Sequence, residues 1–114
     1  MVYFLEGPID SMFVDNGLAL TGSDISLDDC PYRSNRVFVL DNEPRNKEII
    51  KKYKALVKKG EKIISWLNCP WEGKDINEMI VDYNATPQEI NTYLKSNIKS
   101  GLAADLDINQ WAKV

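Results

Sequence analysis

Short apolar runs separated by polar segments form the main pattern of this 114-residue sequence. Continuous apolar runs of about four residues are typical of parallel strands that are buried on both faces. The pattern predicts four such strands, at Val2–Leu5, Leu18–Leu20, Val37–Leu40 and Lys62–Leu67.

Helical signals lie between these strands. Gly7-Pro8 predicts the start of a first helix, and Asn16-Gly17 predicts its end. The range Lys47–Lys59 has apolar residues at helical spacing on one side and lysines on the other, which predicts an amphipathic helix.

The remaining segments are also assigned from local signals. A helix is predicted from Asp75 to about Tyr83. Thr86 and Glu89 have the spacing of a capping box, and the apolar series of the helix that follows is Ile90, Leu94 and Ile98. The polar segment Ser23–Asn35 predicts either a short helix or a loop.

Strands that alternate with helices predict βαβ units and therefore an α/β fold with a mainly parallel sheet. Helices of such a fold cover both faces of the sheet. The sheet predicted here has four strands. Ligands of open parallel sheets bind beyond the carboxyl ends of the strands. Residues that directly follow the predicted strands are therefore the first candidates for a functional site.

The composition excludes several kinds of functional site. The length fits one domain, and the net charge of −3 with a pI near 4.9 argues against nucleic-acid binding by global charge. The sequence has no histidine, which excludes histidine-based triads and the commonest zinc sites. Cys30 and Cys69 are too few for a zinc cluster or a disulfide framework, so reduced thiols in a cytoplasmic setting are expected.

No apolar run approaches the roughly 20 residues of a membrane span, and the N-terminus lacks the basic region of a signal peptide. We therefore expect no membrane partner.

Acidic residues follow three of the predicted strands. Glu6 ends the first, Asp41 ends the third and Asp75 follows the fourth, while Glu43 lies two residues after Asp41 and so on the same side of an extended backbone. Carboxylates this close repel one another unless a cation neutralises them. Mg²⁺ prefers such hard oxygen ligands, and two ions could clamp a phosphoryl-transfer reaction.

Each acid also has a simpler interpretation. Glu6 alone could be a solvated strand end, and Asp41 to Pro44 alone could be a turn. Asp75 could cap a helix with Glu78 in a capping box, and Asp10 suits the first turn of a helix. The metal-site prediction depends on all these acids lying at one edge of the sheet.

Basic and aromatic residues add a second layer. Arg33, Arg36 and Arg45 flank the third strand, and Arg45 and Lys74 are the candidate phosphate contacts because each lies beside a proposed metal ligand. Four lysines of the 47–59 helix lie on one side of it and are expected to form a solvated face: Lys47, Lys51, Lys54 and Lys58. Packing is the expected role of Trp66, Trp71 and Trp111, the last as an anchor of the C-terminal tail.

Three motifs in order carry a family resemblance: "FLEGPIDS", "VLDNEPRN" and "GKDINEMI". They resemble the Toprim domain of bacterial-type primases, topoisomerases and some nucleases. With the tail "ATPQEI…YLKSNI…GLAA", the whole chain is similar to the C-terminal catalytic part of the DNA primases of T4-like bacteriophages.

This resemblance implies a single domain, 1–114, that makes short RNA primers on single-stranded DNA from ribonucleoside triphosphates. It implies Mg²⁺, with Mn²⁺ able to substitute and no zinc, a replicative helicase as partner, and a cytoplasmic location in an infected bacterium. Glu6 would be the acid/base or metal-facing residue after the Gly7 turn, Asp41 and Glu43 the metal pair, and Asp75 a further metal-site acid.

The chain departs from the family pattern in two places. Glu43 replaces an aspartate, and Pro44-Arg45-Asn46 replaces the usual glycine after the pair. The zinc-binding and N-terminal polymerase regions of such primases are absent from the sequence. Two alternative functions therefore remain open: a free-standing Toprim nuclease and a non-catalytic module that docks a helicase.

Overall fold

A computed structural model describes residues 1–19 and 35–113. Most of the predicted segment Ser23–Asn35, including Cys30 and Arg33, lies outside the described residues, as does Leu20. The described strands are β1 Val2–Leu5, β2 Gly17–Ala19, β3 Arg36–Val39, β4 Lys62–Ile64 and β5 Ile98–Lys99. The helices are α1 Pro8–Ser11, α2 Lys47–Lys58, α3 Ile76–Tyr83, α4 Pro87–Ser96 and α5 Gly101–Trp111.

The strands form one mixed sheet in the order β2-β1-β3-β4-β5. The first four strands are parallel to one another, and β5 pairs antiparallel with β4. The α/β class and the mainly parallel sheet are confirmed, and the architecture is compatible with a Toprim-like fold. The predicted number of four strands is corrected to five within the described residues.

Helices flank the sheet because each crossover turns back over it. Successive strands move left from β1 to β2 but right from β3 to β4, so right-handed crossovers place α1 and α2 on opposite faces. The contacts agree with this arrangement, since α2 packs against α5 and α1 packs against α3.

The core is the apolar interior of these layers. Val37 and Ile63 are fully buried in the central strands, and Tyr53 of α2 and Leu94 of α4 pack against them in one hydrophobic cluster. Continuous apolar runs in β1 and β3 are explained by their central places in the sheet, where both faces are covered.

Two element boundaries differ from the prediction. The first helix is one turn, because the chain reverses at Asn16, which adopts a left-handed conformation (φ 59°) just before β2. The fourth strand ends at Ile64 rather than Leu67. Ser65 still donates its N–H to the carbonyl oxygen of Asn97 at 3.0 Å, and a turn follows in which the N–H of Cys69 donates to the carbonyl oxygen of Trp66 at 3.1 Å.

The C-terminal region differs more. Ile98 was predicted on the helix of Ile90 and Leu94, but that helix ends at Ser96 and Ile98 pairs with Ile64 in β5. The open edge of β4 supplies backbone partners that a solvated helix end lacks. The helix α5 was not predicted, although Ala104, Ile108 and Trp111 have helical spacing, since the exposed Leu102 and Leu106 obscure the pattern.

No helix among the described residues is long and apolar enough to cross a membrane.

Candidate active site

The sheet order places the candidate site at its switch point. Neighbouring strands β1 and β3 are paired through Leu5 and Val39, and the chain leaves them in opposite directions. Glu6 directly follows β1, and Asp41 comes two residues after Val39. The crevice at such a reversal of strand order is where open α/β sheets bind their ligands.

Asp41 is the electrostatic centre of this region. Burial and, after it, the nearby charges of Glu6, Asp75, Glu43 and Asp10 raise the pKa of Asp41 from 3.8 to about 7. The four other acids therefore act on one carboxyl group, which lies just beyond the end of β3. We call these five carboxylates, Glu6, Asp10, Asp41, Glu43 and Asp75, the acid cluster.

Asp10, a member of the acid cluster, links α1 to α3. Its Oδ1 accepts a hydrogen bond of 2.8 Å from the backbone N–H of Asn77 in α3. Burial raises the pKa of Asp10, and the hydrogen bond from Asn77 lowers it. The nearby charges of Asp75 and Glu6 raise the pKa of Asp10 further. The expected first-turn position is correct, and the structure adds a link to α3.

Asp75 caps α3, as one of its two interpretations proposed. Its Oδ1 accepts a 2.8 Å hydrogen bond from the backbone N–H of Glu78. The carboxylate of Glu78 accepts from the N–H of Lys74 at 3.4 Å, so it does not complete a capping box with Asp75. Capping and membership of the acid cluster are compatible, since the cap uses one carboxylate oxygen.

Glu43 is held close to the start of α2. Asn46 caps this helix through its Oδ1, and its Nδ2 donates to Glu43 Oε2 at 3.3 Å. The segment after β3 is thus a loop that begins at Asp41 and ends at a capped helix, instead of the isolated turn considered above.

The proposed basic residues occupy different places. Arg45 and Lys74 are exposed, and neither forms an ion pair in the part of the chain that the structure describes. Arg36 lies at the start of β3, at the opposite edge of the sheet, where it is buried against Glu61. Arg36 therefore supports the fold and takes no part in the site.

Lys52 was missed by sequence reasoning. Its Nζ lies 3.6 Å from Glu6 Oε1, which brings one positive charge to the acid cluster from the side of α2. The sequence shows Lys52 as one of several helix lysines, and only the packing of α2 on the sheet distinguishes it.

Buried hydrogen bonds fix the backbone on both sides of Asp41. The carbonyl oxygen of Leu40 accepts from Tyr53 Oη at 2.9 Å and from Trp66 Nε1 at 2.8 Å. The expected packing role of Trp66 is confirmed, and its indole N–H is also used.

Asn42, on the other side of Asp41, joins three segments. Its Oδ1 accepts from Trp111 Nε1 at 2.8 Å, and its backbone N–H donates to the carbonyl of Lys74 at 2.6 Å. Trp111 is thus buried against the loop of the acid cluster, at the end of α5. These supporting contacts link the loop after β3 to the segment that leads into Asp75.

The donor set fits a divalent cation by its chemistry. Crowded carboxylates with one paired lysine leave an excess of negative charge, and hard oxygen ligands are those that Mg²⁺ binds. Among the described residues, no three Asp, Glu or Cys side chains are already arranged as a group that could hold a metal.

The chain is similar in sequence to a known DNA primase. No protein-family model matches the chain. The chain is 47% identical over 113 residues to the DNA primase of Enterobacteria phage T4, which covers 99% of this chain. It spans about a third (33%) of the length of that primase, and the similarity supports a primase-related segment.

Proposed function

We propose that this chain carries the nucleotidyl-transfer site of a DNA primase, of the Toprim type. The observation that carries the proposal is the acid cluster at the switch point. The chain that contains it is similar to a DNA primase over 99% of its own 114 residues. The substrates would be ribonucleoside triphosphates and a single-stranded DNA template, and a replicative helicase would be the further partner.

Asp41 and Glu43 are the residues proposed to hold Mg²⁺, with Asp75 and Glu6 at the edge of the same site. When bound, the ion would neutralise developing charge on phosphate and align the reacting groups. The need for such a cation is consistent with the raised pKa of Asp41, because burial and, after it, the neighbouring carboxylates disfavour a negative charge there.

The reaction would join a ribonucleotide 3′-oxygen to the α-phosphorus of the next nucleotide. The bond to the β-phosphate oxygen breaks, pyrophosphate leaves, and the 3′-hydroxyl proton passes to Glu6 as general base. Lys52 offsets part of the charge on Glu6. Arg45 and Lys74, which are exposed and form no ion pair with another described residue, would hold the triphosphate oxygens.

The first test is a Mn²⁺ titration of the chain, in which bound metal is detected by the paramagnetic broadening of NMR signals of the protein. We expect saturable binding in the wild type and in Asp82→Asn, a control at an exposed residue of α3. The double variant Asp41→Asn/Glu43→Gln should lose it. Equal binding by all three proteins would overturn the metal assignment.

The second test follows chemistry on a single-stranded DNA template with labelled ribonucleotides. Primer synthesis that falls at least about 100-fold in Asp41→Asn, and not in Asp82→Asn, would support the proposal. Shortening of end-labelled DNA would instead identify a nuclease. Metal binding with unchanged synthesis in Asp41→Asn would contradict the assigned catalytic role.

A further inference from the structure

A row of lysines on α2 points to a nucleic-acid surface beside the acid cluster. Lysines recur along the helix at intervals of four, three and four residues, which places them on one exposed face. We define the lysine stripe as Lys47, Lys51, Lys54 and Lys58. It extends about 16 Å along the helix, at about 1.5 Å per residue.

The stripe is not explained by the stability of the helix. Lysines three or four residues apart repel one another, and the helix dipole disfavours a cation at Lys47, in the first turn. The dipole favours a cation only at Lys58, in the last turn. Within residues 1–19 and 35–113, no carboxylate lies within ion-pair distance of any stripe lysine. Among the described residues, the positive charge of this face is therefore left for solvent or for a ligand.

The stripe is also continuous with the candidate active site. Lys47 directly follows Asn46, which caps the helix and donates to Glu43. Lys52, on the adjoining part of the exposed surface, contacts Glu6 at 3.6 Å. A ligand that follows the stripe toward the start of α2 thus arrives at the acid cluster.

We propose that the lysine stripe binds the phosphate backbone of single-stranded DNA and guides it to the acid cluster. The choice of a single strand rests on the proposed function. The polyanion surface rests on four exposed lysines that have no ion-pair partner in the part of the chain that the structure describes. A chain with a net charge of −3 needs a local positive surface of this kind to hold a polyanion.

The test measures anisotropy of a fluorescein-labelled 16-nucleotide oligothymidylate, with EDTA and without nucleotides, across a salt series. The stripe variant Lys51→Gln/Lys54→Gln/Lys58→Gln is compared with the control Lys62→Gln/Lys95→Gln/Lys99→Gln. Both variants lose three positive charges, and glutamine and lysine have similar helix propensities. A third variant with arginine at the three stripe positions retains the charge.

Loss of three phosphate contacts should reduce the slope of log affinity against log salt by about 2, at about 0.7 per contact. Affinity at 50 mM salt should fall at least about tenfold in the stripe variant only, and the arginine variant should bind like the wild type. Equal losses in the stripe and control variants, no loss in either, or tighter binding of a duplex would overturn the proposal.

The readout contains neither metal nor nucleotide, so it separates this inference from the proposed function. Stripe-dependent DNA binding in a protein that fails to bind Mn²⁺ would contradict only the metal site. Mn²⁺ binding without stripe-dependent DNA binding would contradict only the surface.

Discussion

At the start of β3 a buried charge has a matched partner, whereas beyond its end five carboxylates lie near one another. Among the described residues, the one ion pair of these five carboxylates joins Glu6 to Lys52. The guanidinium of Arg36 donates to both carboxylate oxygens of Glu61, from Nε at 3.0 Å and from Nη2 at 2.6 Å. It also lies 5.4 Å from the ring centre of Phe38. At the other end, burial and, after it, the charges of the neighbouring acids raise the pKa of Asp41 to about 7.

This contrast separates charge used for folding from charge kept for a ligand. A bidentate pair inside the protein satisfies both partners. Repelling carboxylates cost stability, and such costs concentrate at functional sites. The strand β3 thus begins at a structural ion pair. It ends beside the acid cluster, on the side where open sheets bind ligands.

Breaking the matched end should have the largest effect on stability. Glu61→Ala removes the carboxylate from a buried guanidinium, and we expect the free energy of unfolding to fall by about 3 kcal/mol. Urea denaturation would measure it.

Lys52→Gln is the matched control, because this pair joins partly exposed side chains at 3.6 Å. Its effect should stay below about 0.5 kcal/mol. Similar losses in both variants would show that the two ends do not differ as described.

Removing charge from the acid cluster should stabilise the metal-free protein. The folded protein holds a proton on Asp41 between about pH 4 and pH 7 that the unfolded chain has lost, because the pKa is raised from 3.8 to about 7. The free energy of unfolding therefore falls as pH rises through this window.

Asp41→Asn should remove this cost, with little effect near pH 4. At pH 8 it should stabilise the protein by about 2 kcal/mol, half the value of the full shift because the carboxyl is only partly buried. Thermal unfolding at both pH values would measure this, with Asp82→Asn as control. A stabilisation independent of pH would contradict the assignment to the charge of Asp41.

The smallest expected effect concerns the support of the cluster. Trp111→Phe removes the N–H that binds Asn42 Oδ1 and should cost about 1 kcal/mol of stability. Affinity for Mn²⁺ should fall about tenfold, as with other groups that orient metal ligands. Trp71→Phe is the control, because Trp71 packs on Tyr93, away from the acid cluster. Unchanged Mn²⁺ affinity in Trp111→Phe would show that this bond only supports the fold.

Local patterns were sufficient for much of the fold. The strands β1 and β3 followed from apolar runs, α2 from its two faces, and the capped start of α4 from the spacing of Thr86 and Glu89. The gathering of Glu6 and Asp41 also followed from sequence, because parallel strands bring their carboxyl ends to one edge. The metal roles of these acids stay predictions.

Other features depend on residues distant in sequence. Ile98 has the spacing of a helix but lies in β5, because the edge of β4 offers it backbone partners. Lys52 could not be distinguished from its neighbours until α2 was packed beside Glu6. Arg36 flanks β3 as Arg45 does, yet strand direction places it at the opposite edge.

The sequence by itself therefore determined the class of fold, the main strands and helices, and the edge at which the acids gather, since these depend on periodicity and on the direction of parallel strands. Tertiary structure alone decided which charges are paired and which side chains support the site. The bond from Trp111 to Asn42 spans 69 positions, and no local pattern encodes such a contact.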